Sequence, residues 1–508
     1  MDDSRNRKIG AILSYISIIA STVIQLLYTP LLVRKLGQSE YGLYSLVSSI
    51  IGYLTILDLG FGNAIVVYTA RYRAMKQYEE EKKMHGMFLV IYSIISIVAG
   101  LIGLTLYFNV DKMFGATMNV EELHKAKIMM LILTFNLVVS FMFSIYSNII
   151  NAYEKFVYQK VISILSTILR PLIMIPLLLL GFKSITMVIV ITILNIIVLF
   201  ANYLYCKKKL NIKIKYCGFD KKLFGTIFSY SIWLFLTSIV DKVNWSVDQF
   251  ILGIVSGTLA VSLYSVATNF NTLFINLSTA ISGVLLPKMT KMVAEQKTSE
   301  ELTDEFIKVG RLQFIIIFLV ISGFILFGKE FIIWWVGKEY ETSYYVALLL
   351  IVPALFSLIQ NLGLSIMQAM NKFKFKAIAT FIMSGFNVII SYFLAQKYGA
   401  VGAAFGTTIA LVICNIIIMN IYYYKVIKIN VVKFWESICK MFIKYMIPIV
   451  IIVTIMYFTK ITGLKSVIIY GSIYTIMYII ITYVAVFNNY EQSLIKSIVR
   501  KVNKRERK

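Results

Sequence analysis

The sequence predicts an all-α membrane protein with about fourteen transmembrane helices, set as two parallel-repeat six-helix bundles plus two C-terminal helices. Three observations predict it. Hydrophobic residues make up 59% of the 508-residue chain and charged residues 15%, which gives a mean hydropathy of +0.80. Soluble domains carry about a quarter charged residues. The apolar residues also fall in blocks of about twenty, the length that crosses a hydrocarbon core as a helix. Finally, short motifs recur in the same order at a near-constant offset, which marks an internal repeat. Barrel strands are excluded, because they would be shorter and would alternate apolar with polar residues.

In chain order the blocks lie near 9–33, 43–68, 86–108, 128–150, 157–182, 184–205, 225–252, 258–287, 312–336, 344–370, 377–396, 400–424, 445–459 and 466–487. The first block has no small-residue cleavage site and holds Gln25 and Pro30. It reads as a retained helix rather than a signal peptide.

The net charge of +25 follows from 50 Lys and Arg against 25 Asp and Glu. Its distribution points to membrane orientation rather than nucleic acid. With a cytoplasmic N-terminus, 37 of the basic residues lie in or beside cytoplasmic segments and 11 in outer ones. That split obeys the positive-inside rule and places both termini in the cytoplasm. The ending "RKVNKRERK" then sits near anionic lipid. The outer loops are short, so no extracellular domain is expected and the work is done inside the bilayer.

The repeat rests on three matches. "GQSEYGLYSLV" from Gly37 matches "GTLAVSLYSVA" from Gly257, and "NAYEKF" from Asn151 matches "QAMNKF" from Gln368. Gly181 and Gly399 fall at equivalent turns. These matches lay spans one to six over spans seven to twelve in the same membrane orientation, the arrangement in which transporters enclose a central site. The expected organisation is a bundle over 1–206, a basic cytoplasmic linker over 207–224, and a second bundle over 225–430. Two extra helices over 431–487 and a basic tail over 488–508 follow.

Polar residues inside the spans carry the functional signal. In the fifth span, Ser163, Ser166, Thr167 and Arg170 share one helix face. Pro171 and Pro176 follow and free backbone carbonyls, so a bend is expected there. In the seventh span, Tyr230, Leu234, Thr237, Asp241, Asn244, Trp245 and Asp248 recur at helical spacing, flanked by Lys242 and Gln249. Charged groups in hydrocarbon are expensive and by default mark a pathway. The second span holds Asp58 in "ILDLGFGNA", whose glycines and Asn63 suggest a broken helix or close packing. Milder stripes comprise Ser14, Ser17, Ser21 and Gln25 in the first span, and Asn269, Thr272 and Asn276 in the eighth. Gln360, Asn361 and Gln368 form another in the tenth. The plain alternative stays open: Arg170 neutralises Asp58 or Asp241 in a fixed pair, Lys242 snorkels or pairs with a carboxylate, and the hydroxyls glue helices together.

Cys206, Cys217, Cys414 and Cys439 have no metal-site spacing, and His85 and His124 lie far apart. No metal, cofactor or disulfide is expected.

The chain resembles the polysaccharide flippase family of the multidrug/oligosaccharidyl-lipid/polysaccharide exporter superfamily. The stretches that carry the resemblance are "LVRKLGQSEYGLYSL", "ILDLGFGNAI", "NAYEKF", "DQFILGIVSGTLAVSLYSVA" and "YGAVGAAFGTTIA". The resemblance implies fourteen helices in two bundles, alternating access and a cationic central cavity. It also implies a lipid-linked oligosaccharide of the undecaprenyl diphosphate type as cargo, moved to the outer leaflet for O-antigen, capsule, exopolysaccharide or teichoic acid assembly. That places the chain in a bacterial plasma membrane, near membrane lipids, glycosyltransferases and a polysaccharide polymerase. Flippases of the peptidoglycan precursor often carry charge in the first span, and this one carries none there.

The chemistry fits. A diphosphate needs a cation, and the planar fork of Arg170 suits it. Tyr230, Asn244, Trp245, Asn269 and Gln360 are candidates to stack on or hydrogen-bond sugars. Asp58, Asp241 and Asp248 are candidates to couple transport to H⁺ or Na⁺. Two rivals remain: a small-molecule exporter on the same fold, and a membrane-embedded polymerase or glycosyltransferase. No nucleotide-binding loop or nucleophile elbow appears, so an enzyme is not expected.

Overall fold

The structure is a computed structural model that describes residues 3–215, 218–282, 286–370, 372–459 and 463–493. Among these residues there are helices, turns and loops but no strand. Helix α1 spans Asp3–Leu36 and α2 spans Gln38–Leu54. The expected break in the second span is present. A 3-10 turn over Thr55–Asp58 ends at left-handed Leu59 and Gly60, and α3, Phe61–Ala74, restarts the helix.

There follow α4 (Tyr78–Phe114), α5 (Val120–Ala152), α6 (Phe156–Leu179) and α7 (Ser184–Lys208). Next come α8 (Lys221–Val255), α9 (Gly257–Ser282), α10 (Leu286–Ala294), α11 (Ser299–Val336), α12 (Glu341–Leu358) and α13 (Asn361–Ala369). Helix α14 (Lys374–Leu411) turns at Gly399 and leads through π-helical residues to the short α15 (Met419–Tyr422). Helices α16 (Val431–Phe458) and α17 (Gly463–Ile481) complete the set. Helices α5 and α11 start in capping boxes, in which Asn119 pairs with Glu122 and Thr298 with Glu301. Helix α6 runs unbroken through Pro171 and Pro176.

Eleven stretches of the described residues are long and apolar enough to cross a membrane, against fourteen expected blocks. One of them, Lys374–Ile427, holds both the eleventh and twelfth blocks. The helices over the seventh and eighth blocks, α8 and α9, are not among the eleven. The glycines paired across the repeat share an unusual backbone: φ is +83° at Gly37 and +78° at Gly257, +89° at Gly181 and +56° at Gly399.

The helices cluster into two compact units. The first comprises Met1–Val266 and Thr380–Thr407, the second Ala267–Ala379 and Thr408–Lys508. In the first unit, α4 packs on α5, α5 on α7 and α1 on α6. The α4–α5 seam follows from small residues. Ser96 donates to the Val138 carbonyl at 2.6 Å, and a Cβ on Gly103 would lie 2.3 Å from Thr134 Cγ2. Between helices in lipid, such close approach replaces the hydrophobic effect as the source of adhesion.

In the second unit, α12, α16 and α17 pack on α11. Tyr445 and Tyr478 stack with ring centroids 4.1 Å apart, and Tyr478 donates to the Ile315 carbonyl at 2.9 Å. Arg311 pairs with buried Glu491 at 2.7 Å. The helices outside the sequence repeat are thereby fixed to α11.

Candidate functional site

In the first unit, α8 delivers Asp248 into a polar cluster built by α9 and α14. Asp248 is 2% exposed. Its Oδ2 accepts the hydroxyl of Tyr264 and, at 2.6 Å, that of Thr407. Among the described residues its Oδ1 is buried without a hydrogen-bond partner. Beside it, Asn387 Oδ1 accepts from Ser391 at 2.9 Å and Thr407 at 3.2 Å, and Ser391 also reaches the Ala403 carbonyl at 3.1 Å. The Asn387 side-chain NH₂ has no partner. The buried hydroxyl of Tyr53, from α2, is likewise unpartnered and feels the Asp248 charge.

Buried polar atoms are almost always satisfied. Here one carboxylate oxygen, one amide and one phenol are not. Several oxygens stand around them. The open carboxylate oxygen suits a hard cation or a proton, while the Asn387 amide beside it offers an N–H donor. Among the described residues, no cluster of three His, Cys, Asp or Glu is placed to hold a metal.

The cations lie along α2. Arg170 is exposed on α6, and its guanidinium interacts with the phenols of Tyr28 and Tyr44. Among the described residues, no carboxylate pairs with it. A Cβ on Gly52 would lie 4.0 Å from Lys242 Nζ. One helix therefore carries Tyr44 beside Arg170, Gly52 beside Lys242 and Tyr53 beside Asp248. The hydroxyls that share the Arg170 stripe bond back to their own helix: Ser166 and Thr167 donate to the Ser163 carbonyl at 2.9 and 2.8 Å.

Asp58 sits at the break in the second span. Its Oδ1 accepts from Tyr92 at 2.7 Å, and its Oδ2 from the Gly62 N–H at 3.3 Å. The carboxylate thus caps α3 and ties it to α4. It does not pair with Arg170, which removes that half of the fixed-pair alternative.

Asn269 and Gln360 belong to the second unit. Asn269 is half-buried on α9. Gln360 is buried and donates to Asn420 Oδ1 at 2.9 Å, which also accepts from Trp435 at 2.9 Å. Gln360 lines a small cavity with Ser357, Leu364, Lys376, Asn415, Met419 and Tyr423. The side chains of Tyr230, Asp241, Asn244 and Trp245 lie outside the described residues, although their backbone belongs to α8.

Sequence reasoning missed the partners of Asp248. A signal was available: Asn387 and Ser391 stand one helical turn apart in an apolar span, and Thr407 lies in the quoted "YGAVGAAFGTTIA".

Residues 9–293 match the family described as "Polysaccharide biosynthesis protein". The chain belongs to that family. A protein of Shigella flexneri named as an O-antigen transporter is 23% identical over 77% of this chain and 91% of its own length. A capsular polysaccharide biosynthesis protein of Staphylococcus aureus is 27% identical over 44% of this chain and 55% of its own. Among solved structures, the lipid II flippase MurJ in an inward closed conformation superposes with a TM-score of 0.72 at 21% identity, covering 96% of this chain and 99% of that one. A multidrug resistance transporter of the MATE family in an inward-facing conformation gives 0.62 at 15%, covering 79% and 96%. The fold of this family member is that of the exporter superfamily named from the sequence motifs. It is a multi-pass membrane protein with the fold of that transporter superfamily.

Proposed function

We propose that this protein moves a polyprenyl-diphosphate-linked oligosaccharide from the inner to the outer leaflet of a bacterial plasma membrane, by alternating access of its two sequence repeats. The observation that carries the reading is Arg170: an exposed guanidinium in mid-span, near two phenols and, among the described residues, paired with no carboxylate. A structural arginine in hydrocarbon is neutralised by a partner. One that pairs with no carboxylate among the described residues suits an anionic cargo, and its fork binds phosphate through two parallel N–H donors. Lys242, along α2, adds a second positive charge for a diphosphate. Sugars are met by hydrogen-bonding and aromatic groups among Tyr230, Asn244, Trp245, Asn269 and Gln360, while the polyprenyl tail stays in lipid.

Asp248 supplies the coupling step in this reading. A cation or proton entering its cluster satisfies the empty oxygen, and its arrival or departure biases α8 against α9 and α14. Such a ligand shifts a conformational equilibrium only through its different affinity for the two states. Asp58, already bonded twice, serves the break in α2–α3 rather than ion exchange.

Glycosyltransferases would supply the cargo and a polymerase would consume it. The Shigella and Staphylococcus relatives, both named for surface polysaccharide, support this over a drug exporter. The test is transport by purified protein in lipid vesicles. Appearance of a labelled lipid-linked oligosaccharide in the far leaflet, dependent on the protein, is the expected result. Accumulation of cationic dyes with no lipid-linked transport overturns the reading in favour of a small-molecule exporter.

A further inference from the structure

We infer that Glu122 is a latch: its carboxylate fastens the outward ends of the two sequence repeats to each other and must let go before the carrier opens outward. The inference rests on the alternating-access reading above and on the threading that places the α1–α2, α4–α5 and α8–α9 turns on the outer face. All the residues involved lie in the first compact unit.

Helices α2 and α9 are the pair related by the repeat, and each begins at a positive-φ glycine: Gly37 precedes α2 and Gly257 opens α9. The first turn of each donates a hydroxyl to the same atom. Ser39 and Thr258 both bond Glu122 Oε1, the latter at 2.8 Å. The other oxygen is engaged elsewhere: Oε2 accepts the Asn119 N–H at 3.0 Å in the capping box of α5. The carboxylate is therefore fixed by its own helix and offers one oxygen to both repeats. It also faces the positive ends of two helix dipoles.

The surrounding surfaces are closed to the same point. Thr117 Oγ1 donates to the Gly253 carbonyl at 2.7 Å. A Cβ on Gly42 would lie 1.9 Å from the Thr258 carbonyl oxygen, and one on Gly253 would lie 2.6 Å from Leu46 Cδ1. Phe114 meets Phe250 edge-on with ring centroids 6.2 Å apart. No methyl group fits in this junction, yet it is joined by hydroxyl hydrogen bonds that break and re-form easily. The neighbouring Glu40 behaves differently. It bonds Lys125 and Ser184, so its ties stay within the first repeat. At the matching place in the second repeat the sequence has Ala260. Glu40 stiffens one repeat, whereas Glu122 links the two.

The test uses a cysteine in place of Leu46, which is 1% exposed, in a chain whose four native cysteines are serine. Cells are treated with a membrane-impermeant maleimide. Glu122→Ala and Thr258→Val should each raise labelling from outside several-fold. Glu122→Gln should raise it less, because its amide oxygen still accepts a hydroxyl. Thr258→Val leaves the capping box intact, so it decides the matter if Glu122→Ala fails to accumulate. Unchanged labelling in a normally abundant Thr258→Val protein overturns the latch, as does a rise seen only from the cytoplasmic side in inverted vesicles. Labelling needs no glycan. A rise in labelling by a protein that moves no lipid-linked oligosaccharide therefore overturns the cargo reading and leaves the latch standing.

Discussion

Thr407 donates its hydroxyl to Asp248 Oδ2 across 2.6 Å, joining side chains 159 residues apart in sequence. Tyr264, on the same carboxylate, occupies the place in the second repeat that Tyr44 occupies in the first. Tyr44 stands beside Arg170. The two repeats thus present the same phenol to opposite charges: a cation in the first and a carboxylate in the second. In the proposed mechanism these two places serve different electrostatic tasks, one for an anionic cargo and one for a cation.

The first prediction concerns the carboxylate. Asp248→Asn keeps shape and hydrogen-bonding capacity but removes the charge, so the protein should accumulate normally and lose its response to an imposed Na⁺ or H⁺ gradient in vesicles. An unchanged gradient response would exclude Asp248 from coupling. Thr407→Val removes a donor from a buried acceptor and should cost about 1–3 kcal/mol of stability. Thermal unfolding in detergent would show this, and Thr407→Ser should recover most of the loss.

Asp58 gives a contrasting expectation. Because it caps α3 and holds Tyr92, Asp58→Ala should lower thermal stability by about 1 kcal/mol or more. Asp58→Asn keeps one of the two acceptor positions and should lose less. Neither change should alter the ion dependence of transport. A shift in that dependence with unaltered stability would give Asp58 a coupling role.

Much of this was legible in the sequence, for reasons that differ by residue. Apolar blocks of membrane-spanning length announce helices directly, and the glycines and Asn63 of "ILDLGFGNA" pointed to the break, whereas the part Asp58 takes in it shows only in the structure. Asp248 was legible since a buried charge has no cheap explanation. Its partners were not. Tyr264, Asn387, Ser391 and Thr407 are ordinary helix-interface residues until three helices bring them to one point, and sequence spacing reports faces of one helix only. Gln360 was picked for its polarity alone, whereas its bond to Asn420 depends on the π-helical turns around α15. Glu122 was hidden in a capping box, a local motif that explains it fully until Thr258 arrives from another helix.

The third prediction tests the attachment of α16 and α17. Arg311 bonds both Glu491 oxygens, at 2.7 and 2.8 Å, and also the Val486 carbonyl at 2.9 Å. Removing one partner of a buried pair leaves the other charge alone, so Glu491→Ala should cost about 3–5 kcal/mol. Replacing both residues together, Arg311→Met with Glu491→Leu, should cost much less. Equal losses in the single and double variants would show that the pair itself is immaterial.

The last prediction separates cargo binding from structure at Arg170. A residue that holds the diphosphate is needed for transport and not for folding. Arg170→Ala should therefore accumulate to normal levels, unfold at the normal temperature and lose export of lipid-linked oligosaccharide. Arg170→Lys keeps the charge but not the two-pronged geometry, so it should export at a reduced rate. If Arg170 instead served only to neutralise Asp241, its loss would strand a carboxylate in the bilayer interior, and Arg170→Ala would accumulate poorly. Exchanging the two charges would then restore abundance. Abundance and export must be read in the same cells, since either alone is ambiguous. Normal abundance with lost export assigns Arg170 to the cargo. Normal abundance with normal export would remove the cation from the mechanism, and the phosphate would have to be met by Lys242 alone.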